Sequence, residues 1–340
     1  MAIWVSRGEL IGTTSEIVGY KSGLGLTREE YSDIVPTESH RIWFGEDDDT
    51  LRIYPEEFEE LISHLLFKVG NIESPTNELF TISLRRKYKD NEELLDILMD
   101  LFSMFIESLN KFSATVKLLS TPVYNPKEFF DDARSKYGFP GSKLALEIVE
   151  NHILQMHKSP WGSFREIDWR DIIKLKGLFA SSSINTSHGT FIDQRYIDYL
   201  GPNFNKIEDI HWRKFEALTC EFFERQGYYV EIGPGTNDGG IDARVWTDNP
   251  ENGEPPTILV QCKRYKEKYP IEQIIVKGLH DDVVYENAQK GLIVTTSTLS
   301  PGSRNLIKAR SYPVYEANKM TLKNWIEVMR KPNTGVFMAR

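Results

Sequence analysis

The chain has 340 residues, a net charge of −9 and a hydrophobic fraction of 40%, which excludes a disordered or collagen-like protein and suggests two domains. Cys220 and Cys262 lie in apolar stretches typical of reduced thiols, and neither a membrane span of about 18 residues nor a secretion signal is evident, so we expect a cytoplasmic protein without a membrane partner. Residues 201–340 hold 19 basic and 18 acidic side chains, so the acidic excess lies in residues 1–200. The negative net charge of the chain therefore does not argue against a nucleic-acid partner for the second part.

The first part of the chain predicts a mainly α-helical domain with a few short strands, an α+β arrangement. Strand-like stretches occur at residues 3–5, 41–44 and 51–54. The spacing of apolar residues predicts helices from residue 55, over 91–119 and near 126–136, 141–157 and 168–179. The small polar segment 180–189 is typical of a linker, so we divide the chain into residues 1–190 and residues 191–340.

From Trp212 onwards the sequence predicts a helix followed by three strands. Apolar and aromatic residues recur on one side of the helix, which ends before Gly227. Glu216 lies at the rim of this apolar side, where an acid is uncommon, although a glutamate reaching the surface explains it as well. The strands are predicted at residues 228–232, 241–246 and 257–264.

Asp242, Gln261 and Lys263 are expected to meet at one end of the resulting sheet. Gln261 and Lys263 share a face because side chains alternate along a strand, and a hairpin places Asp242 opposite the end of the third strand. Phosphodiester hydrolysis uses a divalent cation held by oxygen ligands and a positive side chain near the reacting phosphate. The three residue types suit this reaction, but the same pattern arises by chance in many sheets.

Five motifs follow one another between residues 212 and 330. They are Phe215-Glu216, Gly227-Tyr228, Asp238-Gly239-Gly240-Ile241-Asp242, Gln261-Cys262-Lys263-Arg264-Tyr265 and Gly291-Leu292-Ile293-Val294-Thr295-Thr296-Ser297. In this order they resemble the Mrr-type restriction endonuclease domain of the PD-(D/E)xK nuclease superfamily. The resemblance implies a restriction-endonuclease-like α/β domain with the element order αβββαβαβα around a mixed central sheet. Residues 1–200 resemble no family that we recognise.

The resemblance also implies a set of site residues. Asp242 matches the main metal-binding acid, Gln261 takes the second ligand position and Lys263 matches the catalytic lysine. Glu216 matches the helical acid that completes the site. The backbone carbonyl of Cys262 is expected to add a ligand, and the implied metal is Mg²⁺ or Mn²⁺.

Two further polar residues remain open candidates for this site. Asp238 is either a second metal-binding acid or a turn residue in a glycine-rich loop. Gln273, on the helix after the third strand, matches a polar position near the family's active site.

A basic run follows the third strand and is interleaved with aromatic residues. Its cations are Lys263, Arg264, Lys266 and Lys268. Beside a nuclease site we expect these side chains to contact phosphates, which position a duplex without reading its sequence. An ordinary solvated loop is the alternative.

The activity implied by the resemblance is metal-dependent endonucleolytic hydrolysis of DNA, in restriction or defence against foreign or phage DNA. Cleavage of a duplex favours a homodimer or a larger assembly. The N-terminal domain is expected to bind a partner protein or an activating signal, or to support oligomerisation. Two alternatives stay open: a non-catalytic nucleic-acid-binding or assembly module on the same fold, and a nuclease for RNA or single strands.

Overall fold

The computed structural model describes residues 2–75, 79–115, 124–159, 171–235, 240–251 and 253–331. The first part of the chain is mainly helical, as predicted. Its elements are β1 (Ile3–Ser6), α1 (Arg7–Ser22), β2 (Leu24–Gly25), α2 (Arg28–Ser32), α3 (His40–Trp43), β3 (Thr50–Ile53), α4 (Pro55–Lys68), α5 (Phe80–Lys87), α6 (Glu92–Thr115), α7 (Lys127–Lys158), β4 (Ile173–Lys174), α8 (Lys176–Ala180) and α9 (Gln194–Leu200).

One strand predicted in this part is wrong, and two helices are joined. Residues 41–44 end a short helix, α3, where Ile42 and Trp43 are buried and the Trp43 ring packs against Tyr31. A short apolar run does not distinguish a strand from a buried helical turn, so tertiary packing decided the outcome. The helices expected near 126–136 and 141–157 form one element, α7, which breaks at Gly138 with a φ of 63°. The predicted helix 168–179 lies partly outside the described residues, and within them it is wrong in its first half, where β4 precedes the short helix α8.

The first part of the chain contributes to two separate hydrophobic cores. Helices α5, α6 and α7 enclose one of them around Leu101 and Ile148. The other core joins Leu65 of α4 and Ile197 of α9 to Leu218, which lies in the second part of the chain. This second core is therefore continuous across residue 190, and the division of the chain at that residue stays a prediction.

The second part of the chain is an α/β domain around one five-stranded sheet. Its elements are α10 (Trp212–Arg225), β5 (Tyr229–Ile232), β6 (Ala243–Trp246), β7 (Ile258–Lys263), α11 (Gln273–Tyr285), β8 (Lys290–Thr295), α12 (Pro301–Arg310), β9 (Val314–Ala317) and α13 (Lys319–Met329). The strands lie in the order β5-β6-β7-β8-β9, antiparallel up to β7 and parallel from β7 to β9. The mixed sheet is thus confirmed.

Strand β7 is the centre of this sheet and is covered on both faces. Val260 belongs to the core formed with α10 and α13, whereas Leu259 belongs to the core formed with α11. Residues buried on both faces extend along β7 as far as Gln261. The polar end of β7 therefore emerges from the core at a fixed position, which a site for chemistry requires. Among the described residues, no helix has the length and apolarity needed to cross a bilayer.

Gly70, just after α4, provides a test of the packing between α4 and α9. Its φ is +82°, and a Cβ there would overlap the backbone carbonyl of Asp198 in α9. We expect Gly70→Ala to lower the free energy of unfolding by at least about 2 kcal/mol, because the strain and the overlap act together. Gly12→Ala is the control, since Gly12 lies in α1 and its Cβ would meet nothing within 4 Å. Chemical denaturation giving equal stabilities for the two variants would contradict this contact.

Candidate active site

Asp242 lies directly before β6 and beside the polar end of β7, as the hairpin pattern predicts. Its backbone N–H donates to the carbonyl of Val260 at 2.9 Å. Its carboxylate accepts a hydrogen bond from the backbone N–H of Cys262 at 2.6 Å. The pairing of Ala243 with Val260 places Asp242 opposite Gln261. The carboxylate is thus held at the strand end by main-chain contacts on both sides.

The backbone of Cys262 faces Asp242, and its thiol does not. In a strand the N–H and C=O groups of one residue point the same way, so the Cys262 carbonyl faces the side of β7 on which Asp242 lies. The Cys262 thiol packs at 3.6 Å from the Thr219 hydroxyl of α10. Burial raises the pKa of this thiol well above its ordinary value, so it stays protonated. Among these atoms, the carbonyl oxygen is the donor available to a cation.

Glu216 completes a buried pair of carboxyl groups with Asp242. It lies on α10, is 6% exposed and is in hydrogen-bonding contact with the Asp242 carboxylate. Burial raises the pKa of Glu216, and the charge of Asp242 adds to this effect against the opposing influence of Arg213, so that the pKa reaches about 7. Two carboxyl groups in contact cannot both ionise without cost unless a cation compensates them.

Arg213 is a site residue that the sequence analysis missed. Its guanidinium donates to Glu216 Oε2 at 2.8 Å and to the carbonyl of Gly233 at 2.7 Å. It thereby ties the helical acid to the loop that follows β5. The sequence did contain a signal for it: an arginine lies three positions before a glutamate on a predicted helix, and residues at that spacing are neighbours on the helix surface.

Gln261 has a buried oxygen that needs a partner. Its side-chain amide nitrogen donates to the carbonyl of Gly240 at 2.9 Å, so the amide oxygen, Oε1, is the atom left to accept a hydrogen bond or bind a cation. Oε1 is buried and has no hydrogen-bond partner in the part of the chain that the structure describes. An unpaired buried acceptor costs about 1–3 kcal/mol, so this oxygen favours a bound cation or water. Gly240 is required here, because its φ is +96° and a Cβ would lie 2.9 Å from the Gln261 nitrogen.

These oxygens fit a hard divalent cation. The carboxylates of Asp242 and Glu216, the free Gln261 oxygen and the Cys262 carbonyl form a set of oxygen donors, which Mg²⁺ and Mn²⁺ accept. No three His, Cys, Asp or Glu side chains cluster as a metal site within the described ranges. The fit therefore depends on the amide and carbonyl oxygens in addition to the two acids.

Lys263 lies at the last position of β7 and is half-buried. By strand alternation its side chain lies on the same face as that of Gln261. Its ammonium forms no ion pair or hydrogen bond with the residues that the structure covers. It is therefore a cation at the polar end of β7, next along the strand to Cys262, whose N–H binds the Asp242 carboxylate.

The remaining candidates are placed differently. Lys266 and Lys268 are exposed, and the Lys268 ammonium lies 5.0 Å above the ring of Tyr269. Arg264 is half-buried and donates to the carbonyl of Glu208, so part of its guanidinium is already bound. Gln273 begins α11, is exposed and lies against Gly302 of α12. Asp238 lies outside the described residues.

Residues 207–326 match the family model Mrr_cat, whose description is "Restriction endonuclease". This part of the chain is an Mrr-type domain. A solved structure described as "MspJI Restriction Endonuclease in Complex with 27-mer Oligonucleotide" is similar at 20% sequence identity and a TM-score of 0.30; the alignment covers 43% of this chain and 35% of that protein. No curated protein matches the chain. The five motifs noted in the sequence all lie within the matched residues 207–326.

Two buried glutamates on α10 allow a test of the carboxyl pair. The pKa of Glu216 is higher in the folded protein than in the unfolded chain, so the unfolded chain loses this proton at a lower pH. The folded state is therefore progressively destabilised as the pH rises from about 4 to about 7. Without metal at pH 8, we expect Glu216→Gln to raise the free energy of unfolding by about 1–3 kcal/mol, with no gain at pH 4.

Glu221→Gln is the matched control for this measurement. Its carboxylate accepts the backbone N–H groups of Thr190, Phe191 and Ile192 and an ion pair from Arg225. We expect this variant to lose about 1–3 kcal/mol, because a neutral amide cannot satisfy the same partners. Loss of stability in both variants at pH 8 would contradict the repulsion between Glu216 and Asp242.

Proposed function

We propose that the protein is a divalent-metal-dependent endonuclease that hydrolyses phosphodiester bonds of DNA, in restriction or defence against foreign DNA. The observation that supports this most directly is the contact between the Glu216 and Asp242 carboxyl groups at the end of β7, beside Lys263. The restriction endonuclease family matched by residues 207–326 gives this arrangement its expected chemistry. A purely structural role would not account for two acids buried against each other.

In this proposal the carboxylates of Asp242 and Glu216, the Gln261 oxygen and the Cys262 carbonyl would hold Mg²⁺ or Mn²⁺. A cation held there would supply Lewis-acid polarisation of the phosphate and a lower pKa for an attacking water. Arg213 keeps the Glu216 carboxylate in place through its second bond to the loop after β5. This arrangement leaves the ligands preorganised before substrate arrives.

Lys263 supplies the positive charge that the reaction needs on the substrate side. Negative charge accumulates on the phosphate oxygens as the water attacks, and a preformed cation stabilises that charge more than it stabilises the ground state. The ammonium is suited to this role because the described residues leave it unpaired while the strand restricts its position. Lys263 acts as an electrostatic catalyst and forms no covalent bond to the substrate.

The proposed substrate is double-stranded DNA, bound along the exposed side chains of Lys266 and Lys268. Phosphate contacts of this kind give affinity that falls with salt and carry no sequence preference. We further propose that two or more copies act together on a duplex, and that the N-terminal region receives a partner or signal. The continuous core between α4, α9 and α10 supports such a route, because α10 carries Glu216.

The first test of this function is plasmid digestion by the full chain with Mg²⁺, Mn²⁺ or EDTA. We expect metal-dependent nicking or linearisation that falls at least about 100-fold in Lys263→Ala, because the phosphate charge is no longer stabilised. Lys323→Ala, an exposed lysine on α13, is the control and should cleave like the wild type.

The outcome that would contradict this assignment is full activity of Lys263→Ala or cleavage that continues in EDTA. Single-stranded DNA and RNA are digested in parallel. Cleavage confined to either of them would favour the single-strand nuclease or the RNase. DNA binding without cleavage under any metal condition would favour the non-catalytic module.

The metal ligands are tested separately by calorimetry with Mn²⁺. We expect Asp242→Asn to weaken Mn²⁺ binding at least about tenfold, because one of two anionic ligands is lost. Asp281→Asn, an exposed acid on α11, should bind Mn²⁺ like the wild type. Equal affinity in the two variants would place the metal site elsewhere in the protein.

A further inference from the structure

Three consecutive hydroxyl groups link the end of β8 to the segment that follows Lys263. Thr295, Thr296 and Ser297 are buried, with exposures of 0%, 0% and 1%. The three hydrogen bonds run from Thr295 Oγ1 to the Lys263 carbonyl (2.7 Å), from Thr296 Oγ1 to the Tyr265 carbonyl (2.6 Å) and from Ser297 Oγ to the Glu267 carbonyl (3.1 Å). We call these three residues the hydroxyl ladder.

The hydroxyl ladder extends the sheet beyond the point where backbone pairing stops. Strands β7 and β8 are parallel, and their last paired residues are Lys263 and Thr295. From there the carbonyls of alternate residues are taken up by side-chain hydroxyls of successive residues. The segment 264–268 has no regular backbone structure, yet it is attached to the sheet at two further points.

Some buried hydroxyls elsewhere in the protein are satisfied locally, whereas the Ser303 hydroxyl donates to the Ile271 carbonyl 32 residues away in sequence. The hydroxyls of Thr14 and Ser22 both donate to carbonyls four residues earlier in α1. The hydroxyl ladder instead joins segments about thirty residues apart in sequence, so it requires both segments to be in register. The distinctive feature of the hydroxyl ladder is that three consecutive hydroxyls bond alternate carbonyls of the one segment that carries Lys263 and the basic run.

We propose that the hydroxyl ladder consists of positioning residues for the nuclease, an inference that rests on the proposed function. Thr295 holds the backbone of Lys263 and so fixes the strand position from which the Lys263 side chain extends. Ser297 holds Glu267, between the exposed cations of Lys266 and Lys268, and so fixes the course of the basic run. The two ends of the ladder thus serve different steps, catalysis at Thr295 and DNA binding at Ser297.

A second contact supports a fixed position for the distal end of this run. Lys319 of α13 donates to the Glu267 carboxylate at 3.1 Å and to the Glu208 carboxylate at 2.6 Å. Glu267 is therefore held through its carbonyl by Ser297 and through its side chain by Lys319. A loop that needed only to be solvated would not require both contacts.

The test compares isosteric hydroxyl deletions in the full chain by steady-state cleavage of DNA with Mg²⁺. We expect Thr295→Val to lower kcat by about 10- to 100-fold with KM within about twofold, because a small displacement of a catalytic group is costly. We expect Ser297→Ala to raise KM by about three- to tenfold with kcat nearly unchanged, because phosphate contacts are weakened. Thr14→Val is the matched control, since it also deletes a buried hydroxyl bonded to a carbonyl.

Thr295→Ser separates positioning from packing, because it keeps the hydroxyl and removes only the methyl group. We expect it to retain most of the wild-type kcat, even if Thr295→Val folds poorly. A loss of kcat in Thr295→Ser as large as in Thr295→Val would overturn the inference, and so would a Thr295→Val enzyme as active as Thr14→Val. If the wild type is active, either of these two results overturns only the role of the hydroxyl ladder and leaves the proposed function intact. A wild type that cleaves no nucleic acid overturns the proposed function and the role of the ladder together.

Discussion

The contact between the buried carboxyl groups of Glu216 and Asp242 is the constraint around which the Mrr-type domain is arranged. Burial and the neighbouring Asp242 charge both disfavour ionisation of Glu216, and they raise its pKa. Arg213 offsets part of the cost, and a divalent cation is the natural partner for the remainder. Replacing one of the acids by a neutral residue would relieve this cost, so the presence of both favours a functional role for the pair over a stabilising one.

The rest of the fold holds this pair in place. Strand β7 fixes Asp242 through the Cys262 N–H, and α10 fixes Glu216 from the other side. The segment before α10 is itself fastened to that helix, because Lys214 donates to the Ser183 carbonyl and Glu221 accepts three backbone N–H groups from residues 190–192. The residues directly before α10 are therefore bonded to the helix that carries Glu216, and these contacts support the proposal that the N-terminal region receives a partner or signal.

The active site combines strongly anchored and weakly anchored groups. Backbone atoms hold Asp242, Gln261 and the segment after Lys263, whereas the Lys263 ammonium and the Gln261 oxygen have no partner among the described residues. An unsatisfied group on a rigid support is what a site for a cation and a phosphate requires. The anchoring restricts the geometry, and the missing partners leave capacity for binding.

The sequence alone determined the central features of the Mrr-type domain. Alternation along strands predicted that Asp242, Gln261 and Lys263 lie at one sheet end, because a hairpin with a period of two leaves little freedom. The ordered motifs identified the family, although the roles of the individual residues stay predictions. Helical spacing likewise predicted α4 and α6, whose apolar sides are pronounced.

Only the tertiary structure decided which segments meet. The helix at residues 41–44 depends on Trp43 packing against Tyr31, which local propensity does not encode. Arg213, the contact of Glu216 with Asp242, and the hydroxyl ladder all depend on segments distant in sequence coming together. A pattern read along one segment reports the face on which a side chain lies. The partner on that face is set by the packing of the whole chain, and this is the physical reason why the sequence predicted which candidate residues share one sheet end but did not predict the contacts that support them.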